Sequence, residues 1–144
     1  MENNILRFTM NDISEQSSKK LMKLNDESIN YGLVLSPKDI NDIIKHTNET
    51  LIKIGRIETS TEALEKIIEI VYSSPYTDKD NYVENINDMQ EIFYYFKNQV
   101  LDLLSDDEVI EILERTYDEK RGEILQIQGA IDEFTKEFKL RGEF

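Results

Sequence analysis

The stretch that decides the fold is residues 91–100, "EIFYYFKNQV", in which four aromatic side chains occupy consecutive positions. On a helix of 3.6 residues per turn, Phe93, Phe96 and Val100 fall on one stripe, and Ile92 lies beside it. A continuous apolar stripe of this kind is typical of a helix that packs into a core. We therefore predict that these aromatic residues serve mainly to hold helices together.

The helix around this stretch is predicted to begin between Lys79 and Tyr82 and to continue through Leu103. Apolar residues recur at helical spacing over about 24 residues, which corresponds to ~36 Å at 1.5 Å per residue. This long helix near residues 80–104 is the longest predicted element, and we place it at the centre of the fold. Its apolar residues run nearly all round between 86 and 104, so other helices of the chain or a second copy must cover it.

The same spacing predicts helices on both sides of the central one. Near the amino terminus Leu6, Phe8 and Met10 alternate as in a short strand, but no second convincing strand exists for it to pair with. We therefore predict an all-α, single-domain bundle of five to six helices over residues 1–144, with residues 1–10 as a flexible or extended arm. The flanking helices are predicted at about residues 11–30, 36–54, 59–73, 105–121 and 124–138.

Two of the predicted helix starts have the same cap. Ser36 and Ser105 are each followed three residues later by an acid, Asp39 and Glu108 respectively, which predicts a capping box at both places. The stretch "TSTE" at 59–62 predicts a further box.

Two glycines have different predicted roles. Gly55 stands where a left-handed residue ends a helix. Gly129 falls inside the last helix and weakens it by about 1 kcal/mol relative to alanine, unless close packing requires it.

The chain is strongly acidic, with a formal net charge of −13, and the excess is one-sided. Residues 1–56 contain eight acidic and eight basic side chains, whereas residues 57–144 contain 22 acidic and nine basic ones. A field of this sign repels phosphate backbones and anionic membranes, so we predict no nucleic-acid partner and no membrane partner. Solubility alone explains the excess, and the functional alternative is attraction to a basic surface on a partner protein.

The sequence points to a cytoplasmic protein. No apolar run reaches the roughly 18 residues of a membrane span, and the first four residues, "MENN", lack the pattern of a signal peptide. The chain has no cysteine, which excludes disulfides and thiol chemistry and fits a reducing compartment.

No catalytic, metal or cofactor signature is present. The single histidine, His46, stands beside polar residues on a predicted helix, so we expect it to be solvated or half-buried. Di-iron bundles need more than one histidine, and no calcium loop, glycine-rich phosphate loop or serine-nucleophile motif occurs. Arg56 could bind an external phosphate or carboxylate. We instead predict that it caps the preceding helix or forms a salt bridge with a nearby acid. We predict no catalytic residue, no metal ligand and no cofactor.

Tyrosines and their polar neighbours are the candidate binding residues. Tyr94 and Lys97 point away from the core stripe, and Glu91, Tyr95 and Asn98 share helical spacing with Tyr94. They are either buried groups with internal hydrogen bonds or, with tyrosines of the preceding loop, a pocket or an interface patch. The candidate binding residues are Tyr76, Tyr82, Glu91, Tyr94, Tyr95 and Asn98.

Three stretches together resemble a known family: "YGLVLSPKDI" (31–40), "GRIE" (55–58) and "SSPYTDKDNYVENINDMQEIFYYFKNQVLDLLSDDEVIEIL" (73–113). They are similar to small proteins of low-GC Gram-positive bacteria that are catalogued as a domain of unknown function. The resemblance covers most of the chain from Tyr31 onward, and it departs at Ser73, where a more acidic start to the motif is expected. It implies one helical domain and brings no known activity.

Three functions remain open from the sequence. The favoured one is a non-enzymatic interaction or accessory protein that holds another host protein through its acidic second half and exposed tyrosines. A second is a small-molecule binding module with a pocket between helix 80–104 and loop 73–82. A third is a carboxylate-dependent enzyme, which would need a raised carboxyl pKa in a cleft. A monomer and a homodimer are both compatible with the pattern.

Overall fold

The computed structural model describes residues 16–142, and over this range the chain is helical with no strand. The predicted all-α fold class is therefore confirmed. The predicted arm at residues 1–10 and the start of the helix predicted from residue 11 lie outside the described residues. Residues 16–23 form α1, and the other elements are α2 (Asn25–Ser28), a 3-10 turn (Ile29–Tyr31), α3 (Pro37–Ile54), α4 (Glu62–Tyr72), α5 (Tyr82–Gln99), α6 (Asp106–Glu119) and α7 (Ile124–Leu140).

Both serine caps form as predicted. The Ser36 hydroxyl accepts a hydrogen bond from the Asp39 amide, and the Asp39 carboxylate accepts one from the Ser36 amide, each at 3.0 Å. Ser105 and Glu108 repeat this reciprocal pair at the start of α6, at 3.1 and 2.9 Å. Gly55 ends α3 with φ of 70°, in the left-handed region that favours glycine.

The start of α4 differs from the prediction. The helix begins at Glu62 with Thr61 in the cap position, so Thr59 does not form the expected box. Instead the Ser60 hydroxyl accepts from the Glu62 amide at 3.1 Å, and Thr61 donates to the Glu65 carboxylate at 2.9 Å. Three consecutive hydroxyl residues can each reach a free amide of the first turn, and the pattern alone does not choose among them.

Helix α5 is the centre of the bundle, as predicted. It packs against α3, α4, α6 and α7, so helices of the same chain provide the cover that its apolar surface needs. Phe93 is fully buried and Phe96 is 1% exposed, which confirms the core assignment of the aromatic stripe. Burial of one such side chain stabilises the fold by roughly 1.5–3 kcal/mol.

The carboxyl end of α5 corrects the prediction. The helix stops at Gln99 rather than near residue 104, and its 18 residues equal the length of α3. Leu101 and Asp102 take φ of 54° and 58°, which breaks the helix although apolar spacing continues through Leu103. The Asp102 amide returns to the Lys97 carbonyl at 2.9 Å and closes this turn.

Lys97 corrects the prediction, because it is buried at 5% exposure rather than turned away from the core. Tyr94 is 2% exposed, which is the buried alternative that the sequence left open. The Tyr94 ring meets the Phe93 ring edge-on at 5.1 Å. The Lys97 ammonium donates to the Leu104 carbonyl at 2.7 Å and pairs with Asp106 at 2.9 Å. Four neighbouring helices cover most of the α5 surface, so some of its polar side chains are buried as well.

Candidate functional site

The six candidate binding residues do not come together in one pocket. Tyr76 and Tyr82 lie at the amino end of α5, whereas Tyr94, Tyr95 and Asn98 lie on its second half. Sixteen positions separate Tyr82 from Asn98, which is about 24 Å along the helix. Within residues 16–142, loop 73–82 and the Tyr94 face therefore lie too far apart to line one pocket.

The two tyrosines at the amino end have different surroundings. Tyr76 is 41% exposed, and its Cβ lies close to Gly122. Tyr82 is buried beside Ser28, and its burial raises the pKa of the phenol to about 12. The Tyr82 hydroxyl therefore stays protonated at neutral pH.

Tyr94 and Asn98 belong to the interior. Burial, followed by the charges of Glu58 and Asp106, raises the pKa of Tyr94 far above its usual value. A cavity of about 30 Å³ beside Tyr94 has room for about one water molecule. The Asn98 amide donates to the Ile54 carbonyl at 3.3 Å, which ties α5 to the end of α3.

Arg56 forms the salt bridges predicted for it. Its guanidinium donates to both carboxylate oxygens of Asp102 at 2.6 and 3.2 Å, to Glu58 at 2.9 Å and to Asn98 at 2.7 Å. Hydrogen bonding to Arg56 lowers the pKa of Asp102 below its ordinary value. Burial lowers the pKa of Arg56 itself, but the bonds to Asp102 and Glu58 outweigh it and the net shift is upward. Four hydrogen bonds within the fold therefore hold this guanidinium in place.

Glu91 and Tyr95 line a groove between α5 and α7 with a volume of about 290 Å³. Its floor is apolar and consists of the buried side chains of Ile92, Phe96 and Ile131. We name it the acidic groove, because Asp88, Glu91 and Asp132 line it and no lysine or arginine does. Its remaining lining residues are Tyr95, Gln99, Ile124, Gln128 and Thr135.

The charges of the acidic groove are only partly compensated. Burial, then the neighbouring charges of Glu84 and Glu91, raises the pKa of Asp88, and His46 acts in the opposite direction. His46 is half-buried, as expected, and its Nε2 lies 3.6 Å from a Glu91 oxygen. Lys139 reaches one end of the groove, where it donates to Gln99 at 2.9 Å. Repulsion among the carboxylates favours the arrival of a cation.

The seam between α4 and α6 holds two further cavities, of about 510 and 360 Å³. Lys66 and Arg115 line them together with several glutamates, and Lys66 already pairs with Asp107 across the seam. Because basic and acidic side chains both line this seam, it is a weaker candidate than the acidic groove for binding a cationic ligand.

Two features are absent from the described part of the chain. Within residues 16–142, no group of three or more histidine, aspartate or glutamate side chains is placed to hold a metal ion. No helix in the same range has the length and apolarity required to cross a bilayer.

Sequence reasoning missed two of the three acids of the acidic groove. Asp88 stands three and seven positions before Glu91 and Tyr95, so helical spacing was enough to place all three on one face. Asp132 lies on α7, more than 40 residues further along the chain, and no local pattern links it to α5.

Comparison with known proteins identifies a family. Searches of the curated proteins and of the solved structures found no significant match. The model of DUF6323, described as a family of unknown function, matches residues 20–143. The match agrees with the resemblance to a domain of unknown function and begins earlier than Tyr31, whereas the Gram-positive origin stays a prediction. The chain belongs to DUF6323, a family of unknown function.

Proposed function

We propose that this protein is a non-enzymatic interaction module that holds a segment rich in lysine and arginine from another protein in the acidic groove. One observation carries the proposal: three carboxylates and Tyr95 surround an apolar floor, with no basic residue among the lining. Charge complementarity of this kind favours a cationic occupant.

The groove matches both parts of a basic side chain. The aliphatic stem of a lysine or arginine packs on Ile92, Phe96 and Ile131, while its charged head reaches the carboxylates at the rim. Tyr95, which is 38% exposed, offers a ring face to a guanidinium and anchor area at a low entropic cost.

The acidity of the whole chain supports the same partner. A net charge of −13 attracts a basic segment over a distance and raises its association rate at low salt. At the surface the individual pairs are weak, so several must form at once for useful affinity.

The test measures binding of a fluorescent lysine-rich peptide by anisotropy, with a glutamate-rich peptide of equal length as the reference. We expect Asp132→Asn to weaken binding about two- to fivefold, and Glu133→Gln, the neighbouring acid outside the groove, to leave it within about 1.5-fold. Tyr95→Ala should weaken binding while Tyr76→Ala, at 41% exposure, should not.

Other outcomes decide against the proposal. Equal binding of both peptides, or equal effects of Asp132→Asn and Glu133→Gln, removes the groove as the site. Tighter binding of a free polyamine than of any peptide favours the small-molecule alternative, for which 290 Å³ is at the lower limit of ordinary pockets.

A further inference from the structure

Four aliphatic side chains lie exposed at one end of the bundle. They belong to the last turn of α3, to the segment that follows it and to the turn after α5, and their exposed fractions run from 52% to 88%. We name this surface the end patch, and it consists of Ile52, Ile57, Leu101 and Leu103.

The salt bridge of Arg56 is what brings the two turns together. Ile57 follows Arg56 directly, and Leu101 and Leu103 stand on either side of Asp102. Because the Arg56 fork holds both oxygens of Asp102, the two turns that carry these apolar residues are held at the same end of the bundle. The Arg56 side chain is only 13% exposed, so it forms the base of the patch rather than part of its surface.

The backbone of the second turn is strained in a way that exposes leucine. Leu101 and Asp102 both lie in the left-handed region, where asparagine or glycine is accommodated at lower cost. Leu101 is nevertheless 65% exposed, so burial within its own chain offsets little of this cost. Strain at an exposed apolar residue points to a use outside the fold.

The end patch is electrically neutral on a strongly acidic molecule. Residues 52–58 and 97–106 contain three basic side chains (Lys53, Arg56 and Lys97) and three acidic ones (Glu58, Asp102 and Asp106). The whole net charge of −13 therefore arises elsewhere in the chain. A second copy of the same chain meets less repulsion here than on the acidic helices α5 to α7.

We propose that the end patch is the contact between two copies of this chain related by a twofold axis. Such an interface uses the same surface on both copies, so it must carry charges of both signs at its rim. Lys53 is exposed and forms no ion pair within residues 16–142, and the Asp102 and Asp106 carboxylates are about half exposed. Lys53 of each copy faces an acid of the other, around a centre formed by Ile57 and Leu101. The contact is independent of the acidic groove.

The first experiment follows the mass of the full chain by light scattering as its concentration rises from about 10 μM to about 1 mM. A small apolar interface predicts a weak dimer, with the mass rising from 17.0 kDa toward twice that value. Salt should strengthen the dimer, since it screens repulsion between two anionic copies. A complex between the acidic groove and a basic segment has the opposite salt dependence, so the two proposals fail separately.

The second experiment uses substitutions that keep the fold. Leu101→Asn removes the apolar side chain and suits the left-handed backbone, so it should abolish the dimer without lowering the unfolding midpoint. Ile57→Ser, at a side chain that is 88% exposed, should weaken dimerisation at least tenfold. Leu125→Ser, at 83% exposure on α7, is the matched control and should leave the dimer unchanged.

A third experiment locates the contact between the two copies by disulfide cross-linking. The chain has no cysteine, so Ile57→Cys creates a single thiol close to the proposed axis. Mild oxidation should link two copies through this thiol, and Leu125→Cys should link them far more slowly. A chain that stays monomeric at every concentration and salt, or a dimer that resists both Leu101→Asn and Ile57→Ser, overturns the proposal.

Discussion

Arg56 joins two turns whose contacting residues are 46 positions apart in the sequence. The guanidinium loses most of its hydration in this position, and three acceptor side chains compensate for that loss. A planar fork suits this geometry better than an ammonium group, because it can bind both oxygens of one carboxylate at once.

Replacing this arginine tests its structural role. Arg56→Met should lower the free energy of unfolding by about 1–3 kcal/mol, since it leaves Asp102 and Asn98 without their main partner. Arg141→Met is the control, because its pair with Glu137 is long at 3.8 Å and well exposed, and the loss there should stay below about 0.5 kcal/mol. Urea unfolding measures both, and equal losses would contradict the role given to Arg56.

Replacing Asp88 should stabilise the protein in a pH-dependent way. Its folded pKa is raised, so the fold favours the protonated acid and bears a cost once the pH exceeds that pKa. Asp88→Asn should therefore raise the melting temperature at pH 7, by roughly 1 °C, and the gain should disappear below about pH 4. Thermal unfolding at both pH values checks this, with Glu133→Gln as an exposed reference. A gain that is the same at both pH values would exclude the charge of Asp88 as its cause.

Single residues also mark where sequence reasoning stops. The pairing of Arg56 with the nearby Glu58 and the half-buried position of His46 were predictable from the local end or face of a helix, whereas the partner Asp102 was not. The burial of Lys97 was not predictable either, since it depends on how many other helices surround α5. A helical wheel describes one helix and carries no information about its neighbours.

At the scale of the element, two glycines form a matched test of backbone conformation. A Cβ added to Gly129 or to Gly55 meets no atom within 4 Å, so only the backbone distinguishes them. Gly129→Ala lies inside α7 and should stabilise the protein by about 0.5–1 kcal/mol. Gly55→Ala must adopt a φ near 70° and should destabilise it by about 1 kcal/mol.

Chemical denaturation of the two alanine variants gives the comparison directly. Changes of the same sign in both would show that the local conformations assigned to α7 and to the end of α3 are wrong. The close packing that could have justified a glycine at position 129 is absent from its surroundings in the described chain.

The starts of α3 and α6 were easier to predict than the end of α5. A serine followed by an acid three residues later satisfies the free amides of the first turn locally, and both such boxes form. The end of α5 depends instead on Arg56, which approaches from a distant turn and stabilises two left-handed residues. Apolar spacing continues past that point, so the sequence predicts a helix that is too long.

At the scale of the whole molecule, the outstanding feature is the excess of negative over positive charge. Thirty acidic and 17 basic side chains leave more repulsive than attractive pairs when the chain is compact. The exposed ion pairs are too few and too weak to reverse this balance.

Salt should therefore stabilise the monomer. Raising sodium chloride from about 10 mM to about 150 mM shortens the screening length from roughly 30 Å to 8 Å, and the melting temperature should rise by a few degrees. The melting temperature should be measured below about 5 μM protein, where dimerisation contributes little to stability. Choline chloride should raise the melting temperature as much as sodium chloride does. A fall in melting temperature with added salt would mean that attractive charge pairs outweigh the repulsive ones.

The fold class could be predicted from the sequence, whereas only the α5 side of the acidic groove could be. Asp88, Glu91 and Tyr95 share one face of α5, but Asp132 joins them only because α7 packs against that helix. Periodicity predicts which faces of helices are apolar. It does not predict which two helices lie side by side.

The enclosure of α5 has a consequence for synthesis on the ribosome. Helices α3 and α4 emerge before the helix on which both of them pack, so their apolar faces stay without a partner while residues 82–99 are still being made. Folding of the nascent polypeptide is therefore a late event, and the early two-thirds of the product is the part that needs protection by a chaperone.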